Sequence, residues 1–156
     1  MLTIINSDPL RRSFKMIIGL CEGYPPGHRI QHDMEEVQSI VGAWLVRHQK
    51  LGNGYLPGQL DYRTQQYARD GIAITEPSAI YEGEVSPIYN GHATDPENVG
   101  TLTELADLLS NSLKQQRIYL CYRDQLFILE NESLKRAAKR RQMAAKRRQR
   151  PASSAK

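Results

Sequence analysis

The sequence predicts a two-layer α+β domain with a separate basic segment behind it. Three observations carry this reading. In residues 78–85, Ala79, Tyr81, Gly83 and Val85 alternate with Ile80, Glu82 and Glu84, the two-residue period of a half-buried antiparallel strand. Val99, Leu102, Leu105/Ala106, Leu109 and Leu113 recur at spacings of three and four, the stripe of an amphipathic helix. Residues 133–156 hold 10 of the 21 Lys and Arg and none of the 17 Asp and Glu, so the chain changes character there.

In chain order, residues 1–15 read as an extension outside the core, with residues 2–5 suited to an edge strand and Asn6-Ser7-Asp8-Pro9 to a turn. Met16 opens the apolar strand MIIGLCE. The stretch Gly23-Tyr24-Pro25-Pro26-Gly27 is rigid loop chemistry. Asp33 and Glu36 form a capping box for a helix whose stripe is Met34, Val37, Ile40/Val41, Trp44/Leu45 and His48, and Gly52 stops it.

Residues 55–62 predict a strand interrupted near Pro57-Gly58, and residues 63–71 an exposed loop or long hairpin connection. Pro87 ends the strand that follows, because it cannot donate to a ladder. Asp95-Pro96 opens the second helix, the carboxylate capping free N–H groups and the proline fitting the first helical position. Residues 117–122 and 126–130 are β-rich runs about Arg123-Asp124-Gln125, a hairpin.

The order β-α-β-β-α-β with one further strand is the ferredoxin-like pattern. It implies an antiparallel sheet with two amphipathic helices on one face. The other face is then open or covered by a partner, a reason to form a homo-oligomer. The core domain is residues 16–132, and residues 133–156 are a basic tail, helical or disordered.

Residues 1–132 carry 11 basic and 17 acidic residues, net −6, against +10 in the tail. Affinity for polyanions therefore belongs to the tail, through Lys135, Arg136, Lys139, Arg140, Arg141, Lys146, Arg147, Arg148 and Arg150. AAKRRQ occurs at 137–142 and again at 144–149; its residues are strong helix formers with a thin apolar stripe, so a solvated, partly formed helix is expected. No apolar run reaches the roughly 18 residues of a membrane span, and the N-terminus lacks a signal peptide's apolar segment. A cytoplasmic protein with packed thiols at Cys21 and Cys121 is expected.

No nucleophile elbow, HExxH, P-loop or dinucleotide-binding glycine pattern is present, so no catalytic residues are nominated and no cofactor is expected. Glu82 and Glu84 share a strand face and read as solubilising charge on an edge strand. His28 and His32 read as surface histidines, not metal ligands, since no second ligand cluster accompanies them. The richer chemistry is aromatic and polar. Tyr62, Arg63, Tyr67 and Arg69 gather in one segment, and Tyr89, Asn90 and His92 in another. Tyrosine offers a plane for a purine, arginine grips phosphate, and Asn or His reads a base or ribose hydroxyl.

EPSAIYEGEV, LTELADLLSNSLKQ and QRIYLCY, with the compatible NGYLPGQLDY, resemble the small phage anti-Thoeris proteins over residues 16–130. The resemblance implies a non-catalytic homo-oligomer that sequesters cyclic ADP-ribose signals in phage counter-defence. It also implies an aromatic plane and a phosphate-gripping arginine near a subunit boundary. Two other classes compete: a module that binds RNA or DNA through its tail, and a phage assembly protein.

Overall fold

Three neighbouring strands present an apolar side chain at every second position, and that row is the wall on which the helices pack. The computed structural model describes residues 12–22, 30–90 and 92–148. The elements are β1 (Ser13–Gly19), α1 (Met34–Lys50), β2 (Gln59–Arg69), β3 (Ile72–Glu84), α2 (Pro87–Asn90), α3 (Asp95–Ser112), β4 (Arg117–Tyr122), β5 (Gln125–Glu130) and α4 (Glu132–Arg148). The sheet runs β2-β3-β1-β4-β5, every pair antiparallel. The fold is thus the expected two-layer sandwich, with β5 added at one edge.

Phe14, Met16 and Ile18 from β1, Ala79 and Tyr81 from β3, and Ile118, Leu120 and Tyr122 from β4 point to one side. Val37, Val41 and Trp44 of α1 and Leu102, Leu105 and Leu109 of α3 close on them. Burying a Leu or Phe side chain here stabilises the fold by about 1.5–3 kcal/mol each. Tyr81 brings a hydroxyl into the core, and it donates to the carbonyl of Leu56. Burial pushes that phenol well above its ordinary value.

Several expectations shift. β1 begins at Ser13, three residues before the expected Met16 start. The stretch 63–71 is mostly strand: β2 runs to Arg69 and turns through Asp70 (φ 52°) and Gly71 (φ 75°) into β3. Two consecutive left-handed residues make the tight hairpin turn whose twist matches its strands. β3 lies between β2 and β1, so Glu82 is not on an edge; it accepts an ion pair from Lys15 at 2.9 Å.

The helix caps differ too. Thr94, not Asp95, caps α3, in a full capping box with Glu97. At α1, Asp33 accepts from the N–H of Glu36, but the Glu36 carboxylate turns to His32 Nδ1, 2.7 Å away. His32 is consequently no surface histidine, for Glu22 lies 3.1 Å from its other nitrogen. Pro87 opens the short α2 after β3 has stopped at Glu84. The tail is helical as far as Arg148. His28 and the 23–27 loop, like residues 1–11, lie outside the described residues.

Candidate functional site on the open face of the sheet

Strand alternation decides which side chains face away from the helices. In β1 these are Lys15 and Ile17, with Gly19 beyond; in β4, Arg117, Tyr119 and Cys121. The registers Tyr119↔Ile128 and Cys121↔Leu126 bring the exposed Leu126 (60%) and Ile128 (57%) onto the same side. Across β3, Ile17↔Ile80 and Gly19↔Ser78 continue it, and Arg63, Gln65 and Tyr67 of β2 complete it.

This face holds two adjoining hollows. One, about 620 Å³, is lined by Tyr67, Tyr119, Glu76, Gln65, Gln115 and Gln116 over a floor of Ile17 and Leu126. That is the size range of small-molecule sites, and the mixture of apolar floor with a few polar groups is the usual one. The other, about 770 Å³, shares Cys121 and adds Lys15, Glu82, Glu84 and Arg123. Gln115 is a built part of the first: its Nε2 donates to the carbonyls of Cys21 and Leu113, each at 3.0 Å.

The cations around the trough are already engaged. Arg117 donates to Glu130 at 2.6 Å, and Arg123 to Asp95 at 2.7 Å. Lys135 and Arg117 together hold the Glu130 carboxyl below its usual range. Two tyrosines and a carboxylate in a body of net −6 suit a cationic or neutral guest with an aromatic base better than a polyanion.

The candidates read from sequence divide between three places. Tyr67 lines the trough, and Arg63 stands on the same face, donating to Asp61 at 3.2 Å. Tyr62 alternates to the opposite face and is half exposed there, and Arg69 closes β2. Tyr89, Asn90 and His92 belong to a separate hollow of about 720 Å³ between α2 and the α1–α3 pair, beside His48 and Glu104. Asn90 is buried and donates to Asn98, which donates to the Tyr122 hydroxyl at 3.2 Å. That chain ends at Asp95, which accepts from Tyr122 at 2.8 Å, so Asn90 is committed to structure. The tail candidates Lys135, Arg136, Lys139, Arg140, Arg141, Lys146, Arg147 and Arg148 lie on α4, and Arg150 lies outside the described residues.

Tyr119, Glu76, Gln65, Gln115 and Gln116 escaped sequence reasoning. Alternation in RIYLCY separates Arg117, Tyr119 and Cys121 from the core residues, a legible signal. Nothing local marks Gln115 or Glu76, which reach the trough through the fold. Among the described residues no group of three or more His, Cys, Asp or Glu is placed to hold a metal ion.

No family model and no curated protein matches the sequence. Solved structures do match. A phage SAM lyase in complex with S-methyl-5'-thioadenosine superposes with a TM-score of 0.59 at 16% identity, covering 83% of this chain and 98% of that one. A phage SAM lyase in the apo state gives 0.52 at 15% identity, with the same coverage. The likeness is one of fold. The expectation of a non-catalytic protein is contradicted, since both of these neighbours of the same fold are a lyase, an enzyme. Both neighbours are phage proteins and one holds a nucleoside-type ligand, S-methyl-5'-thioadenosine; neither is an anti-Thoeris protein. No helix among the described residues is long and apolar enough to cross a membrane.

Proposed function

We propose that this chain is a phage-type lyase acting on S-adenosylmethionine, with its substrate in the trough of Tyr67, Tyr119 and Glu76. The observation that carries the reading is the match, over nearly the whole neighbour, to a lyase fold holding methylthioadenosine. The trough's chemistry supports it independently. A tyrosine plane accepts adenine, and a second ring with a carboxylate suits a sulfonium.

Release of methylthioadenosine breaks the bond between sulfur and Cγ of the amino acid, and the electron pair stays on sulfur. Without water or redox chemistry, two routes balance. The substrate's own carboxylate attacks Cγ and closes a lactone, or a Cβ proton leaves and an alkene forms. The first cancels the carboxylate against the sulfonium and leaves the α-ammonium as the one charge, so the apolar side chains of Ile17 and Leu126 favour it over solution. No protein base is needed for that route.

A second copy laid over this face would bury Leu126 and Ile128 and exclude water; the homo-oligomer is part of this proposal. Removing S-adenosylmethionine from a host is the form in which a counter-defence role is carried here. Sequestration of cyclic ADP-ribose is set aside, as the neighbour's ligand is methylthioadenosine.

The test is direct. Purified protein is incubated with S-adenosylmethionine, and products are followed by liquid chromatography and mass spectrometry. Methylthioadenosine should accumulate one for one with loss of substrate, with no added cofactor, and a lactone should accompany it. Failure to form methylthioadenosine, together with no rise in Tm on adding it, sinks the reading.

A further inference from the structure

The lyase reading leaves α4 without a use. Its first turn is anchored to the sheet: Asn131 Oδ1 accepts from the N–H of Leu134 at 3.2 Å and from the Ser133 hydroxyl at 2.6 Å, and Lys135 pairs with Glu130. Arg136 reaches Glu132 at 4.0 Å. Lys139 and Arg140 are exposed, and among the described residues neither makes an ion pair.

The seven-residue echo AAKRRQ is close to two helical turns, so equivalent residues stack along the axis. Lys135, Lys139 and Lys146 share one stripe of α4, and Arg136, Arg140 and Arg147 the stripe beside it. At 3.6 residues per turn the two stripes cover an arc of about 140° over a length of roughly 18 Å. We infer that this arc docks on the phosphate backbone of double-stranded nucleic acid, independently of base sequence.

Three features of the helix select that partner. A duplex carries one negative charge per roughly 1.7 Å of axis, so the stretch of about 12 Å from residue 139 to 147, beyond the paired Lys135 and Arg136, faces about seven phosphates. The apolar positions of α4 are alanines with Leu134 and Met143, too little surface to lodge in a bilayer interface. The helix has no aromatic residue, so it offers no stacking platform for single strands. The rest of the chain, at net −6, repels nucleic acid and leaves the contact to α4.

The experiment uses the full chain and a labelled 20-base-pair DNA, with anisotropy read between 50 and 200 mM salt. The comparison is the quadruple variant Lys139→Gln, Arg140→Gln, Lys146→Gln, Arg147→Gln, which keeps good helix formers. Binding by the parent should fall steeply with salt, and the variant's log–log slope should be shallower by about 3.6, at 0.9 per lost phosphate contact. Its affinity at 50 mM should drop at least tenfold, while Tm and the helical circular dichroism signal stay put. Equal DNA binding by parent and variant overturns the inference. So does tighter binding of the parent to phosphatidylserine vesicles, or to a single strand of equal length, than to the duplex at matched salt. None of these readouts needs lyase activity, so the two proposals fail separately.

Discussion

Gly19 and Gln115 meet so closely that a Cβ at residue 19 would stand 2.7 Å from Gln115 Oε1. Gln115 cannot simply swing aside, because its amide nitrogen is held by two backbone carbonyls. Gly19→Ala should therefore cost about 1–3 kcal/mol as overpacking and displace one wall of the trough. Calorimetry should show a lower Tm, and titration calorimetry a weaker methylthioadenosine complex. A Gly19→Ala protein with unchanged Tm and unchanged affinity would mean that Gln115 is not a fixed wall.

Tyr119 and Glu76 should separate by ligand. If Tyr119 carries the adenine, Tyr119→Ala weakens S-adenosylmethionine and methylthioadenosine alike, by about 1–3 kcal/mol, the worth of one base on an aromatic ring. Glu76 answers the positive sulfur, which methylthioadenosine lacks. Glu76→Gln should thus raise KM for S-adenosylmethionine while leaving the Kd of methylthioadenosine within about twofold. Both are half-buried on an open face, so neither change should move Tm by more than a few degrees. Loss of both ligands in Glu76→Gln would reassign that carboxylate to the ribose.

What the sequence disclosed, and what it withheld, follows from how local each signal is. The stripes of α1 and α3 and the alternation of β1, β3 and β4 are written in neighbouring residues, and they led to the correct order of elements. β2 was missed over 63–69 because its two sides are both polar: Arg63, Gln65 and Tyr67 alternate with Thr64, Gln66 and Ala68, so no period of two shows. Its Asp70-Gly71 turn was the readable clue. The site is less legible still. Tyr67 and Tyr119 lie more than fifty residues apart and line one hollow only because the sheet order sets β3 and β1 between their strands. Tyr89 and Arg63 looked like partners in the sequence, yet Tyr89 sits among the helices while Arg63 stands on the open face of the sheet.

His48 gives a pH prediction. It is buried, Trp44 lies at a ring distance of 4.9 Å, and burial followed by the Arg47 charge lowers its pKa from 6.5. Glu104 Oε2 lies 3.4 Å from Nε2, but Arg47 also engages that carboxylate. The folded chain thus resists a proton that the unfolded chain takes up below pH 6.5. Stability is lost as pH falls from there towards the folded value, and levels off beneath it. Tm measured from pH 7.5 to 5.5 should fall in the parent and fall less in His48→Gln, which starts from a lower Tm because a buried ring is removed. Parallel curves for the two proteins would show that His48 does not titrate in this window.

Asp95 governs the acid end. Its carboxylate accepts from the Tyr122 hydroxyl and from Arg123, and those two bonds, in that order, hold its pKa below the ordinary value. Burial and Asp95 push Tyr122 the other way, so the phenol stays a donor at every pH of interest. A depressed carboxyl contributes stability above its unfolded pKa of about 3.9 and loses it as pH falls through the folded value. The side chain is 38% exposed, so the effect is softened by solvent and salt. Asp95→Asn keeps an acceptor for Tyr122 and removes the charge that Arg123 meets. Its Tm should be lower than the parent's at pH 7 and should decline less between pH 5 and 2. The cap of α3 is left intact by this change, because Thr94 and Glu97 supply it. Thr94→Ala should instead cost about 1 kcal/mol at pH 7, and that loss should persist at pH 5. An acid limb equally steep in Asp95→Asn and parent would place the responsible carboxylates elsewhere, with Glu97 and Glu130 next to be tested.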